Sequence, residues 1–209
     1  MKIGIIGNDK KGLFLGKAWA EEGHEVLIGT ATPNTLGSFL KEIDGEVQAV
    51  SIEETFEAKC QLYVLAIPFH EVDRIAELYA GEYGNTIILD LTNPDPNQDG
   101  AMAKELLTSN QNASEYVAMK FSTAKTVKAF NTVQLQSLKQ KVGDTFSPLA
   151  IPYAAQDHES KEIVRELIES LGYEAVYIGD LAQTEIMDPE QKIYGKSLNR
   201  SELEVLINS

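Results

Sequence analysis

The chain has 209 residues, enough for one large domain or for a domain with a small appendage, and its composition of 43% hydrophobic and 24% charged residues is ordinary for a soluble globular protein. Its 18 Lys and Arg residues stand against 32 Asp and Glu residues, so the formal net charge is −14. No basic cluster offers the positive face that nucleic acids or anionic membranes require, and we expect neither as a partner.

The cysteine content and the lengths of the apolar runs indicate in which cellular compartment we expect the protein. Cys60 is the one cysteine, so no intrachain disulfide can form, and we expect the reducing environment of the cytoplasm. The first strand is predicted to begin at Lys2, which leaves no room for a signal peptide. No apolar run approaches the ~18 residues of a membrane span. Since Cys60 opens an apolar run, we expect a buried structural thiol.

Short apolar runs alternate with helical patterns in the first part of the chain. The predicted elements, in chain order, are a strand at 2–6, a helix at 12–22, strands at 24–29 and 47–50 on either side of a helix at 35–43, a strand at 62–68, a helix at 71–80 and a strand at 85–91. This alternation predicts an α/β fold with a doubly wound, mostly parallel sheet of the Rossmann type. We expect the first strand to lie in the interior of that sheet.

A loop rich in Pro, Asn and Asp follows, after which additional C-terminal strands and helices are predicted. They are strands at 125–130, 148–154 and 174–179 and helices at 132–140 and 158–170. We therefore divide the chain into an NAD(P)-binding Rossmann-type domain at 1–181 and a C-terminal tail at 182–209. The tail ends in SELEVLIN, which predicts a short helix with a capping box of Ser201 and Glu204. Docking of this helix on the core is favoured over a partner-binding arm.

The turn after the first strand is related to the dinucleotide fingerprint G-x-G-x-x-G. Gly7 takes the position of the tight turn, and Gly12 that of close helix–strand packing. Asp9 stands in the middle position, where its bulk and charge would oppose a pyrophosphate. Lys10 and Lys11 can offset that charge, and Asp9 can turn away to hydrogen-bond local backbone. We expect a pyrophosphate at this helix N-terminus; a tight turn that binds nothing is the alternative.

The end of the second strand indicates which dinucleotide binds, because an acid there would take the 2′-hydroxyl of NAD. The segment at 30–35, TATPNT, contains no acid. Thr30, Thr32 and Asn34 can hydrogen-bond a 2′-phosphate, with charge added by the lysines of the opening turn. The sequence therefore favours NADP over NAD. Alternatively, these residues only form a turn and cap the next helix.

Six segments resemble, in the same order, the NADP oxidoreductases that depend on the deazaflavin coenzyme F420. They are MKIGIIGNDKKG, GHEVLIGTATP, LAIPFHEV, IILDLTNP, TVKAFNTV and ESLGYEAVYIGDL. They are also similar to the cytosolic domain of the STEAP ferric reductases. The resemblance extends from residue 1 to about 181. It implies a Rossmann-type domain that binds NADPH and passes hydride to a flavin or deazaflavin, either as a second cofactor or as the substrate.

The turn chemistry and the resemblance together give a set of candidate site residues. The cofactor-binding candidates are Gly7, Asn8, Asp9, Lys10, Lys11, Gly12, Thr30, Thr32, Ile67, Pro68, Phe69, Asn93 and Pro94. By resemblance, Thr30 would contact the 2′-phosphate, and residues 67–69 would line the ribose and nicotinamide. Phe130 and Asn131 would form the substrate side, near the nicotinamide, where the acceptor ring must stack.

Four features depart from the family pattern. Asp9 replaces the middle glycine, Ala31 replaces an Arg that commonly follows the Ser/Thr, and Asn131 stands where deazaflavin-dependent members can have His. The tail after Asp180 does not resemble the family's apolar C-terminal helix, which helps to build the dimer and the acceptor site. A homodimer is still an expectation from the resemblance.

Hydride transfer to a flavin-type ring depends on geometry and on the exclusion of water, because the cofactors carry the chemistry. We therefore expect no catalytic acid or base. We also expect no metal, since His24, His70 and His158 lack the spacing of a metal site. The sequence predicts an NAD(P)H-dependent oxidoreductase that acts on a small-molecule acceptor.

Three alternatives stay open. A 2-hydroxy-acid or β-hydroxyacid dehydrogenase is disfavoured, because the roughly 60 residues after Gly143 are few for a substrate domain with a catalytic base. A non-catalytic dinucleotide-binding or redox-sensing module would account for the degenerate motif at Asp9 and Ala31. A structural Rossmann-like protein without a ligand is the third.

Overall fold

The computed structural model describes residues 1–79, 85–109, 111–144 and 146–209. Ala80, the last residue of the helix predicted at 71–80, lies outside these residues. The strands are β1 (Lys2–Ile6), β2 (Glu25–Gly29), β3 (Val47–Val50), β4 (Leu62–Leu65), β5 (Ile87–Asp90), β6 (Lys125–Ala129), β7 (Ala150–Ala155) and β8 (Glu174–Tyr177).

Helices connect most of the strands. The α-helices of the described residues are α1 (Lys10–Glu21), α2 (Gly37–Leu40), α3 (Ile52–Glu57), α4 (Val72–Tyr79), α5 (Gly100–Thr108), α6 (Ala113–Lys120), α7 (Leu135–Lys141), α8 (His158–Ser170) and α9 (Arg200–Ile207). Short 3₁₀ helices lie at Pro33–Leu36, Phe69–Glu71 and Leu181–Met187.

The strands form one eight-stranded sheet in the order β3-β2-β1-β4-β5-β6-β7-β8. Neighbouring strands are parallel except for β6 and β7, which are antiparallel. The predicted Rossmann-type, mostly parallel sheet is thus confirmed, and β1 lies in its interior between β2 and β4. Such strands are covered on both faces, which explains why β4 and β5 are buried at every position.

Helices cover both faces of the sheet. On one face, α1, α7 and α8 contribute Trp19, Leu138 and Val164 to a buried apolar cluster. On the other face, α3 and α4 contribute Phe56 and Ile75 to a second cluster, to which α5 and α6 also belong. This arrangement confirms the doubly wound architecture. Cys60 is buried in the second cluster, as predicted, and burial raises the pKa of its thiol to about 11.

The C-terminal segment packs beside the last two strands. Leu203 of α9 is buried with Met187 and Ile193 against Ala150 of β7 and Val176 of β8. The terminal helix therefore docks on the core. The division of the chain at residue 181 stays a prediction.

The capping box predicted at Ser201 and Glu204 is wrong, because α9 begins earlier. The side chain of Asn199 accepts the N–H of Glu202, and the Glu202 carboxylate accepts the N–H of Asn199. Ser201 lies inside the first helical turn, so it cannot be the residue that precedes the helix.

Other differences concern short helices. The helix predicted at 35–43 is instead the 3₁₀ helix Pro33–Leu36 followed by one turn of α2, with Leu36 its buried residue. Helices α3, α5 and α6 were not predicted, because two turns give little apolar periodicity. A signal for α3 was present, since Ser51 and Glu54 form a capping box at its start. Among the described residues, no helix combines the length and apolarity needed to cross a bilayer.

Candidate functional site

The loops after β1, β4 and β5 meet at the carboxyl edge of the sheet, where ligands of open α/β sheets bind. A cavity of about 360 Å³ lies there and is called the edge cavity. The predicted residues that line it are Asp9, Lys11, Ile67, Pro68, Phe69 and Asn93. The lining residues that were not predicted are Ala66, Leu91, Thr92, Asp95, Gln98, Asp99 and Tyr194.

Two glycines of the opening turn allow a close approach to the chain after β4. Gly7 has a φ of +101°, and a Cβ there would lie 2.2 Å from the carbonyl oxygen of Ala66. A Cβ on Gly12 would lie 2.3 Å from the Cβ of Ala66. Neither distance is compatible with a side chain, so both positions require glycine. The tight turn and the close packing of α1 on the sheet depend on these two residues.

Asp9 caps helix α1. Its Oδ1 accepts the N–H groups of Lys11 and Gly12, each at 2.9 Å. These are two of the N–H groups that have no partner within the helix, and such groups form the usual phosphate site at a helix N-terminus. The carboxylate of Asp9 therefore occupies donors that a pyrophosphate would use. Asn8, beside it, is exposed.

Lys11 extends from α1 across the edge of the sheet. Its Nζ donates a hydrogen bond to the carbonyl oxygen of Phe130 at 2.8 Å. Burial lowers the pKa of Lys11 to about 8, an effect that nearby Asp9 opposes and Lys128 reinforces. The amine is still largely protonated at neutral pH and carries donors beyond the one given to Phe130. Lys10 does not line the edge cavity but a separate depression.

Thr30 and Thr32 form the turn at the end of β2. Thr30 is buried, and its Oγ1 accepts the N–H of Thr32 at 3.4 Å. Thr32 is exposed, and its carbonyl oxygen accepts a hydrogen bond from the Thr35 hydroxyl at 2.7 Å. Neither residue lines the edge cavity.

A buried ion pair lies beneath the edge cavity. Asp90 of β5 and Lys128 of β6 are partners in the parallel register, and both side chains are completely buried. The Nζ of Lys128 lies 2.8 Å from Oδ2 of Asp90 and also donates to the Thr92 carbonyl. Oδ1 of Asp90 accepts the backbone N–H and the hydroxyl of Thr92 at 2.8 and 2.7 Å. The pair thereby fixes Thr92, which lines the cavity.

Asn131 connects two loops behind the cavity. Its Nδ2 donates to Oδ1 of Asn93 at 2.8 Å and to the carbonyl oxygen of Met187 at 2.9 Å. Asn93 in turn donates to the Asn131 carbonyl at 3.2 Å. Asn131 and Pro94 are buried. Asn131 therefore positions Asn93, which does line the cavity.

The ring of Phe130 faces the core. It is fully buried and lies edge-on to Trp19 and Tyr173, with ring centroids 6.0 and 6.3 Å apart. An acceptor ring cannot stack on it in this arrangement. Any contribution of Phe130 to the predicted nicotinamide site must therefore come from its backbone carbonyl oxygen, which accepts a hydrogen bond from Lys11.

The sequence contains a signal for two polar residues that were not predicted, Asp90 and Lys128. A charged residue in a strand that is apolar on both faces requires a buried partner. Asp90 stands in IILDL and Lys128 in TVKAF, each between apolar neighbours. Tyr194 left no signal, because its place beside the cavity follows only from the packing of the tail.

Known proteins resemble the chain in sequence. Residues 2–94 match the model of the family described as NADP oxidoreductase coenzyme F420-dependent. The metalloreductase STEAP3 of Rattus norvegicus is 27% identical over 186 residues, which cover 87% of this chain and 34% of the relative. The chain thus spans about a third of the length of that curated relative.

Solved structures share the fold. A hypothetical protein from Sinorhizobium meliloti has a TM-score of 0.83 and 23% identity, with 96% of each chain covered. A protein from Arthrobacter sp. FB24, described as an F420-dependent NADP reductase, has a TM-score of 0.73 and 20% identity, with 96% of this chain and all of that chain covered. The NADPH complex of a reductive aminase from Aspergillus terreus has a TM-score of 0.59 and 19% identity, with coverages of 87% and 55%. The family match over residues 2–94 and the metalloreductase relative confirm the resemblance of this chain to the coenzyme F420-dependent NADP oxidoreductases.

Proposed function

We propose that this chain is an NAD(P)H-dependent oxidoreductase that transfers hydride between NADP(H) and a flavin or deazaflavin acceptor. The edge cavity carries the proposal, because it lies at the carboxyl edge of a Rossmann-type sheet beside two obligatory glycines. The family match covers β1 to β5 and the loops after them, which provide most of the cavity lining. A reductive aminase of the same fold was solved with NADPH.

The residues of the opening turn fit a pyrophosphate if Asp9 gives up its cap. Lys11 already lines the cavity, and its ammonium group would neutralise phosphate charge. The N–H groups of Lys11 and Gly12 would then receive phosphate oxygens in place of the Asp9 carboxylate. Thr30 and Thr32, at the end of β2, would contact the 2′-phosphate, which favours NADP(H) over NAD(H).

The nicotinamide half of the cofactor would lie along residues 67–69, with Asn93 closing the far side. Bound NADP(H) supplies the hydride, and the residues of this chain bind it, orient it and exclude water. Asn131 holds Asn93 in place, and the Asp90–Lys128 pair holds Thr92. Such a preorganised wall is what hydride transfer requires, since the reacting carbons must be held face to face.

A second candidate is a non-catalytic dinucleotide-binding or redox-sensing module. The cap formed by Asp9 favours it, because an internal carboxylate already satisfies two N–H groups of the phosphate site. Such a protein would bind a dinucleotide without turning it over.

The test combines binding and turnover. Thermal shifts are measured with NADPH and NADH, and NADPH oxidation is followed by absorbance with FMN, FAD or the deazaflavin coenzyme as acceptor. We expect a larger shift with NADPH than with NADH, and oxidation that depends on one of the acceptors. Binding without turnover on any acceptor would favour the non-catalytic module. No shift with either dinucleotide would exclude both candidates.

The remaining expectations are part of this proposal. They are a small-molecule acceptor, a cytoplasmic location, a homodimer, and a cofactor-binding domain at 1–181 followed by a tail at 182–209. Sedimentation of the purified chain tests the homodimer. Limited proteolysis of the full chain tests the division, which predicts that the first cut falls near residue 181.

A further inference from the structure

A second cavity, of about 340 Å³, lies between α6 and the 3₁₀ helix Leu181–Met187 and is called the acidic cavity. Three of its lining residues carry carboxylates: Glu115 of α6, Glu185 and Asp188. Its polar lining is completed by amide side chains, those of Gln111, Asn112 and Gln191. Among the described residues, no Lys, Arg or His lines it, so the field in this cavity favours a cation.

Asp188 is the buried member of this set. The residue is 8% exposed, and its Oδ1 has no hydrogen-bond partner in the described parts of the chain. Burial raises the pKa of Asp188 to about 6, while Lys128 opposes the rise and Asp90 and Glu185 add to it. A buried acceptor normally has a donor, because without that hydrogen bond nothing offsets the free energy of removing the group from water. Since Oδ1 itself is closed off from solvent, a ligand in the cavity would reach the other oxygen of this carboxylate and supply the donor that the group lacks among the described residues.

In the described parts of the chain, the surroundings of Asp188 contain one further free acceptor but no free cation. Oδ1 of Asn131 also has no partner among the residues that the structure describes, and the Nδ2 of the same side chain donates to the carbonyl oxygen of Met187, the residue before Asp188. Lys128 is committed to Asp90 and to the Thr92 carbonyl. Within the described residues, the group of Asp90, Lys128 and Asp188 thus carries net negative charge.

We propose that the acidic cavity binds a small organic cation with a primary ammonium group, which donates to Asp188. An ammonium group has three donors and no acceptor, so it matches a site with several carboxylate oxygens. Glu115 and Glu185 would balance a second ammonium group, and Leu106 and Pro189 would contact the methylene groups between them. A metal ion fits less well, because the described residues contain no group of three acidic, His or Cys side chains that could hold one.

The acidic cavity is separate from the proposed dinucleotide site. The acidic cavity and the edge cavity share no lining residue among those described. Binding of the cation can therefore be measured without any dinucleotide, and its failure would leave the proposed function untouched.

The experiment is titration calorimetry of the full chain with the diamine putrescine at low salt. Butanediol is the uncharged ligand control, and succinate is the anionic one. Asp188→Asn keeps the shape of the side chain and removes its charge. Glu166→Gln on α8 removes an equal charge at an exposed position outside the cavity. We expect binding of putrescine alone, unchanged affinity in Glu166→Gln, and about tenfold or greater loss in Asp188→Asn.

Folding of each variant is checked by its urea midpoint. If Asp188→Asn does not fold, Glu185→Gln and Glu115→Gln on the rim replace it, each with an expected severalfold loss of affinity. The proposal is overturned if wild type gives no heat with putrescine, or if butanediol binds as well as the diamine. Equal affinities in wild type and in the cavity variants would overturn it too.

Discussion

The opening turn and the Asp90–Lys128 pair are both polar clusters at the carboxyl edge of the sheet, but they use a carboxylate in opposite ways. Asp9 is exposed and accepts backbone N–H groups that a ligand could also use. Asp90 is fully buried, and its charge is balanced by Lys128. Water can solvate Asp9 in any conformation, whereas Asp90 depends on its partner. Changes in the opening turn should therefore alter ligand binding, and changes in the pair should alter stability.

The largest expected effect is that of Lys128→Met, which would leave the Asp90 charge buried without a partner. Removal of one member of such a pair typically costs about 3–5 kcal/mol. We expect a loss of this size in the free energy of unfolding, measured by urea denaturation. The double variant Lys128→Met/Asp90→Asn should regain part of it, because the uncompensated charge is gone.

The matched control is Lys125→Met, the same substitution on the same strand. Lys125 pairs with Glu159 at 2.6 Å, but both side chains reach solvent. Exposed pairs contribute little, so we expect almost no change. Equal losses in Lys125→Met and Lys128→Met would mean that burial does not distinguish the two ion pairs.

The next effect is that of Gly12→Val, which tests the backbone part of the opening turn. A Cβ at this position would lie 2.3 Å from the Cβ of Ala66, so α1 would have to move away from the sheet. We expect loss of dinucleotide binding by calorimetry and a stability loss of about 1–3 kcal/mol from overpacking. Gly37→Val is the control, since a Cβ on Gly37 would meet no atom of the described residues within 4 Å. Normal NADPH affinity in Gly12→Val would show that the cofactor lies elsewhere.

The two clusters also differ in what could be predicted from the sequence. Gly7 and Gly12 were predicted because backbone requirements select glycine at fixed spacing after a strand, and the strand rhythm located that strand. The Asp90–Lys128 pair was missed, because the pairing needs the register of two strands that are far apart in sequence. Each charge in an apolar strand was a signal, but its partner could be named only from the three-dimensional structure. Tyr194 depends in the same way on how the tail packs.

A smaller effect is expected for Ala31→Arg, which adds charge where the opening turn faces the end of β2. Ala31 is exposed, so the arginine can enter without repacking the core. If the 2′-phosphate lies there, a charge-assisted hydrogen bond should strengthen NADPH binding by ~1.5–3 kcal/mol at most. NADH, which lacks the phosphate, is the internal control and should bind as in wild type. Equal gains for both dinucleotides would indicate general electrostatic attraction and no specific contact.

The smallest expected effect separates the observed role of Asp9 as a helix cap from its proposed role as a competitor of the pyrophosphate. Asp9→Gly removes the side chain that occupies the N–H groups of Lys11 and Gly12, together with its charge. We expect NADPH to bind about two- to fivefold more tightly, as fits the modest energy of one charge at a helix N-terminus. Asp9→Asn keeps an oxygen that can cap the helix but removes the charge, so an intermediate gain would assign part of the effect to each role.

Calorimetry at fixed salt measures both Asp9 variants, and the urea midpoint reports the loss of the cap. Asp9→Gly should lower stability slightly while it tightens binding, because the cap stabilises the unliganded helix and opposes the ligand. A weaker affinity for NADPH in Asp9→Gly would mean that the carboxylate contacts the cofactor favourably, for example at a ribose hydroxyl. In that case the carboxylate of Asp9, like that of Asp90, would be needed at its own site. The two clusters would then differ only in how far the carboxylate is buried.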